Sequence, residues 1–461
     1  VNVVTERPTT LGLRLAATAK LQAGGQSAKV QLAEGVATLQ LPAGRHVLTG
    51  AVPATGGGKG LAASLQALLD QGQKQRADAL AAAGQQAQPT APELPTAMTA
   101  QVGGQVADMI TRPSAEGTQL CVAEGANIHL LTPDGKEVRT LQTDGKIRVL
   151  RWWPEPKLLL AGCVDEKVIA FDESGQRKWV FTSEMDPAVY EAAKTYWFKS
   201  APGHEGIHGL YTGAFDEGKS RCFVGSACTL EILDEAGKLV KRTPVFWGPG
   251  RMYQLAEAPD GSRNLLISLW PNGSDSLALV NSKTMTRTGS GYDGVPAGHS
   301  YVGGWTAQNR TGLFLEDLDG DGKKEVATTI NGTWNRVTVY SEDGAPLHNA
   351  QFGPGASNAP RAQMRDMDVA DLDGDGKKEI VVALSEGLVV ALSNECQKLW
   401  SARLPSPPVS LKCVVPPGAK TPWIVVSCDD GTVAALDEKG ALLRLGKTAG
   451  RAWQITAVET A

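Results

Sequence analysis

Seven times between residues 131 and 440 the chain makes the same turn. An apolar strand ends, a small polar or acidic residue follows, then two more residues and a glycine. The copies are Leu131-Thr-Pro-Asp-Gly135, Phe171-Asp-Glu-Ser-Gly175, Leu233-Asp-Glu-Ala-Gly237, Tyr340-Ser-Glu-Asp-Gly344 and Leu436-Asp-Glu-Lys-Gly440, with weaker copies at Val280-Asn-Ser-Lys-Thr284 and Leu392-Ser-Asn-Glu-Cys396. The glycine supplies the positive φ of a tight turn between two strands. Apolar strand pairs precede each turn, as in Leu158-Leu-Leu-Ala-Gly162 and Val168-Ile-Ala-Phe171, and an outer strand such as Arg177-Lys-Trp-Val-Phe181 follows. The turns are spaced by 40, 62, 47, 60, 52 and 44 residues. A period of about 40 with four strands per unit marks a propeller blade, and the excess is inserted loop.

The spacing therefore predicts an all-β chain with a seven-bladed β-propeller over 99–461. The first unit lacks an obvious innermost strand directly before Gln119, and Trp453-Gln-Ile-Thr-Ala-Val458 has inner-strand character. The expectation is that this C-terminal strand completes the first blade and closes the ring, which removes exposed edges. In the competing arrangement Val106-Ala-Asp-Met-Ile110 fills the inner position and the last strand begins an eighth blade. Ahead of the ring, short apolar stretches such as Val36–Leu41 predict a small β-sandwich-like segment over 1–55. Leu61, Leu65, Leu68, Leu69 and Leu80 follow a helical period, so 56–98 reads as a helix followed by a linker rich in Pro, Gln and Ala. Val1 to Leu15 does not resemble a signal peptide, which implies a removed signal or a longer multidomain chain. No apolar run reaches membrane-span length, and a net charge of −4 gives no global pull toward nucleic acid. Seven cysteines cannot form a complete disulfide framework, and most sit in apolar runs as buried thiols.

Two loops are near-identical: Asp317-Leu-Asp319-Gly-Asp321-Gly-Lys323-Lys-Glu325 and Asp371-Leu-Asp373-Gly-Asp375-Gly-Lys377-Lys-Glu379. Three carboxylates at close quarters repel unless a cation joins them. Hard Ca²⁺ wants six to eight oxygens. Carboxylates at positions 1, 3 and 5, the carbonyl of Lys323 or Lys377 and the closing glutamate supply them, so two Ca²⁺ sites are expected. The Asp-x-Asp-Gly-Asp-Gly-x-x-Glu pattern followed by Val326–Ile330 or Ile380–Leu384 resembles the FG-GAP repeats of integrin-α-type propellers. Other blades, such as Val168–Gly175 with Trp179 on the next strand, resemble quinoprotein-type repeats. The resemblance implies calcium between the first and second strands of a blade. It implies no single function, and only two of the seven blades carry the loop.

Loops joining first and second strands share one face of a propeller, so the acidic loops are expected to be structural. Connections between blades lie on the other face, and here they are rich in aromatics, His and Arg. Trp197, His204, Trp247, Trp305, Trp334, Arg336 and Arg361 are the ligand-binding candidates. Flat rings suit sugar faces and guanidinium suits carboxylate or sulfate. The expected function is binding of an extracellular, anionic polysaccharide or glycan. The alternative is a polysaccharide lyase or glycoside hydrolase. There His208 or His299 would abstract a proton, Tyr196 or Tyr301 would protonate the leaving oxygen, and Arg365 or Arg361 would neutralise a carboxylate. His204-Glu-Gly-Ile-His208 also fits the zinc-protease spacing, but that chemistry needs a regular helix and four glycines and prolines crowd the motif. Calcium loops of this kind fill where calcium is plentiful, which favours a secreted or periplasmic protein.

Overall fold

A computed structural model describes residues 90–461 apart from 98, 116, 194–205, 247, 270–275, 300–306, 333–334, 353–362 and 459–461; before residue 90 it describes only the backbone of seven strands between Asn2 and Ala51. The chain forms two compact units, 1–78 and 79–461. In the first, the strands make two antiparallel sheets of four and three strands. The helix expected over 60–84 lies outside the described residues.

The second unit is the seven-bladed propeller. Each blade is an antiparallel sheet in chain order, and every turn of the repeated signature falls between its third and outer strands. Blade one runs from Val106–Ser114 to Glu137–Gln142, blade two from Ile147–Trp153 to Arg177–Thr182 and blade three from Gly209–Ala214 to Leu239–Pro244. Blade four runs from Gly250–Glu257 to Thr286–Gly291, and blade five from Ala307–Asn309 and Leu313–Glu316 to Pro346–Phe352. Blades six and seven run from Met364–Ala370 to Lys398–Arg403 and from Pro408–Val414 to Leu442–Lys447. The turn glycines adopt the expected left-handed backbone, from +76° at Gly237 to +96° at Gly344. Asp172, Asp234 and Asp437 brace their turns by accepting backbone N–H groups two to four residues on.

The core is interfacial. In a blade's second strand alternate residues face opposite neighbours. Leu159, Ala161 and Cys163 pack toward blade one, while Leu158 and Leu160 pack toward blade three. Burial on both faces is why such strands read as unbroken apolar runs. Six apolar clusters fill the six interfaces between consecutive blades. Among the described residues none of them joins blade seven to blade one.

That seam corrects the expected closure. The innermost strand of blade one is Val106–Ser114, which pairs with Gly117–Glu124. Residues 451–458 form neither a strand there nor the start of an eighth blade. They instead bridge the seam through side chains. Ser427 Oγ of blade seven donates to Ala452 O at 3.0 Å. The Gln454 amide accepts from Met109 N at 3.0 Å and donates to Met109 O at 2.9 Å. One side-chain amide thus stands in for the peptide of a neighbouring strand. Residues 92–94, at the end of the supposed linker, pair with Leu445 on the outer strand of blade seven.

Candidate functional site

The two acidic loops follow the innermost strands of blades five and six. Gly320, Gly322, Gly374 and Gly376 all have φ between +80° and +89°, which curls each loop back on itself. Ligand oxygens of Asp317, Asp319 and Glu325 come within 4.8 Å of one another, as do those of Asp371, Asp373 and Glu379. Asp317 accepts Gly320 N at 2.8 Å and Gly322 N at 3.0 Å, and Asp371 repeats the pattern at 2.7 and 3.0 Å. Glu325 accepts Leu318 N at 2.9 Å and Glu379 accepts Leu372 N at 2.8 Å. Burial pushes both glutamates up, the N–H bond opposes it, and the neighbouring aspartates push further in the same direction. An all-carboxylate donor set of this kind fits a hard divalent cation. Asp321 and Asp375 face Lys323 N and Lys377 N instead, at 2.7 and 2.8 Å.

The residue at position two of each loop escaped the sequence reading. Leu318 is buried in the core between blades five and six, and Leu372 in the core between blades six and seven. The loops also touch each other: Lys378 N donates to Leu318 O at 2.9 Å, and Lys378 Nζ to Glu316 at 2.8 Å. Blade three does the same job without carboxylate clustering. Phe215 fills the core toward blade four, and a two-pronged Arg221–Asp216 pair at 2.6 Å holds the loop.

At the opposite end of the innermost strands, where they begin, lies a cavity of about 890 Å³. Lys146, Arg148, Arg251 and Arg451 line it with Trp453 and Gln454, and its described lining carries no carboxylate. Arg148 donates to Ile207 O at 3.2 Å. Arg251 stands exposed on the cavity wall, where its guanidinium can meet an anion. The Arg451 guanidinium sits 3.8 Å from the centre of the Trp453 ring, and Trp453 is 57% exposed. Asp429 bridges Arg451 at 2.8 Å and Arg365 at 2.7 Å. Lys146, Arg148, Arg251 and Arg451 were missed because they are single basic residues far apart in sequence. Their common signal is position: each stands beside the start of an inner strand or in the closing stretch.

Of the candidates named from sequence, Tyr196, Trp197, His204, Trp247, Tyr301, Trp305, Trp334 and Arg361 lie outside the described residues. His208 directly precedes the inner strand of blade three, and its N–H bonds Gly225 O at 2.8 Å. His299 is exposed and lies 3.5 Å from Asn349 on the outer strand of blade five. Arg365 begins blade six and is paired with Asp429. Arg336 is 1% exposed and donates to Thr338 Oγ1 at 3.2 Å. No hydrogen bond or ion pair between described residues joins His208, His299 and Arg365 directly. A zinc-protease helix is excluded, since Gly206 has φ +79° and Gly209 opens a strand.

A family model described as FG-GAP-like repeat matches residues 317–382, the stretch that holds both acidic loops. A second, described as lambda-carrageenase beta-propeller domain, matches residues 357–450. No curated protein matches the chain. Among solved structures, BBS1N in complex with ARL6DN is 13% identical with a TM-score of 0.47, covering 75% of this chain and 93% of that one. BamB from Moraxella catarrhalis is 15% identical with a TM-score of 0.46, covering 79% and 92%. The chain is therefore an all-β, seven-bladed propeller whose blades five to seven are similar to FG-GAP-like and carrageenase-type propeller repeats.

Proposed function

We propose that this protein binds an anionic polysaccharide, most simply a sulfated galactan, in the cavity at the starts of the inner strands. One observation carries the reading: four cations and an exposed indole converge on that cavity without a carboxylate in its described lining. Guanidinium groups hold sulfate through paired N–H donors, and an indole face suits the apolar face of a sugar ring. The likeness of residues 357–450 to a lambda-carrageenase propeller supports the same ligand class. Two Ca²⁺ ions held by Asp317, Asp319 and Glu325 and by Asp371, Asp373 and Glu379, with Asp321, Asp375 and the carbonyls of Lys323 and Lys377 completing the shells, staple blades five to seven. Sites of this kind fit a secreted or periplasmic protein.

The test is a binding titration against a sulfated galactan, a polyuronate and a neutral galactan at fixed salt. The sulfated polymer should bind best, and Arg148→Ala and Arg251→Ala should each weaken it by roughly tenfold. Equal binding of the neutral polymer, or indifference to both substitutions, would sink the reading.

An enzyme is the second reading. Arg148 of the cavity wall donates to the carbonyl of Ile207, the residue before His208. In that reading His208 acts as the base, with Tyr196, Tyr301, His299 and Arg365 as the other candidate groups. New reducing ends or new ultraviolet-absorbing double bonds on incubation with the same polymers would establish it. Their absence with every polymer would leave binding as the function.

A further inference from the structure

The seam between blade seven and blade one is unlike the other six. They are filled by apolar clusters, whereas here the bridge is the stretch 451–456. Among the described residues its polar attachments are few, and one is the Arg451–Asp429 pair at 2.8 Å. Ala452 O takes one bond from Ser427, Gln454 exchanges a pair with Met109 and donates to Asp108 at 3.1 Å, and Thr456 Oγ1 donates to Met109 O at 3.1 Å. No strand ladder supports it. The same stretch supplies Arg451, Trp453 and Gln454 to the cavity, while Gln105, Val106 and Met109 on the far side of the seam supply another wall. A ligand in the cavity therefore touches both lips of the ring's closure.

We infer that ligand binding and ring closure are one coupled event: the stretch 451–456 is a clasp, and an anionic glycan in the cavity locks it. This rests on the proposed ligand. The clasp opens by breaking a handful of side-chain bonds, so it belongs to the low-stability end of the structure. Opening it carries Arg451 and Trp453 away from Arg148 and Arg251, so the open form loses two of the groups that hold the ligand. A ligand that binds only the closed form deepens closure by the factor 1 + [L]/Kd. By the same linkage, any change that loosens the clasp raises the apparent Kd once the open form is populated.

Hydrogen exchange of the intact chain tests this, with and without a size-defined sulfated galactan oligosaccharide. At a ligand concentration of about 100 times Kd, the amide of Met109, whose N–H is held by Gln454 of the clasp, should exchange about 100-fold more slowly. Amides in blade three, remote from the clasp, should change little. The double variant Ser427→Ala/Thr456→Val removes clasp bonds and no cavity-lining group. In this variant the Met109 amide should exchange faster without ligand and regain protection on adding it. Binding with unchanged exchange at Met109 overturns the coupling alone. If the unmodified chain binds no sulfated oligosaccharide, the ligand reading falls and takes the coupling with it.

Discussion

Single glycines decide how tightly consecutive blades lock at their outer edges. Trp179 on the outer strand of blade two donates its indole N–H to Glu235 O at 3.0 Å, and Trp400 of blade six donates to Glu438 O at 2.8 Å. Each ring lies over the turn glycine of the next blade: a Cβ on Gly237 would stand 2.4 Å from the Trp179 ring, and one on Gly440 would stand 2.6 Å from Trp400. The glycine thus serves twice, for its positive φ and for its missing side chain. Gly237→Ala should cost about 2–4 kcal/mol, through a strained backbone and a displaced indole. Urea unfolding would measure it, and a loss below about 0.5 kcal/mol would mean the ring moves aside freely. Asp430 offers a pH-dependent counterpart. Burial alone would raise its carboxyl, but Lys447 and Thr432 outweigh that and hold it at about 2. A depressed carboxylate stabilises the fold above its unfolded value and loses that contribution as pH falls through the folded one. Asp430→Asn should therefore lower stability at neutral pH by less than about 1 kcal/mol, since the pair is half exposed and solvent-screened. The gap to the unmodified chain should close between pH 3.8 and about 2. A gap that stays constant across that range would assign the effect to packing instead.

Elements show where the sequence speaks plainly and where it does not. The turns were legible because everything they need lies within five residues: an apolar strand end, a bracing Asp or Ser, and a residue tolerant of positive φ. Of the weak copies, Cys396 takes the glycine's role at +60°, while in the other the positive φ falls one residue later, on Met285 at +52°. The last stretch was misread for the opposite reason. Trp453 to Val458 has a strand's alternation, yet strand formation depends on a partner about 345 residues away, and Val106–Ser114 already holds the inner position. Local pattern cannot rank two distant claimants for one edge. The acidic loops were readable as clustered carboxylates but not as plugs. Their buried leucines make each loop a two-part device, a carboxylate cluster outside and an apolar peg inside. Leu318→Ala should cost about 2–5 kcal/mol whether or not calcium is present, because it empties a packed interface. Glu325→Gln should instead abolish most of the calcium-induced rise in melting temperature that the 317–325 loop contributes. Thermal melts with calcium and with chelator separate the two, and a Leu318→Ala defect that excess calcium fully repairs would refute the peg.

For the whole molecule, the length of the inner strands separates the acidic loops from the basic cavity. The acidic loops leave the strand ends at Glu316 and Ala370, while the basic cavity gathers at the strand starts. A seven-residue strand such as Met364–Ala370 spans about 20 Å at ~3.3 Å per residue. That is more than twice the ~8 Å over which exposed charges are felt at physiological salt, so an ion in either loop adds little field at the cavity. Its effect must travel through packing, and the packing it touches is local: Leu318 and Leu372 feed only the interfaces between blades five, six and seven. Removing calcium should therefore loosen one arc of the ring first. Backbone amides of blades five to seven should lose hydrogen-exchange protection on chelation, those of blades two and three should keep theirs, and the melting temperature should fall. Well below that lowered midpoint, affinity for a sulfated galactan should stay within about twofold of its calcium-loaded value. Chelation that abolishes binding while leaving exchange in blades five to seven untouched would reverse the assignment, and would make the acidic loops part of the recognition surface.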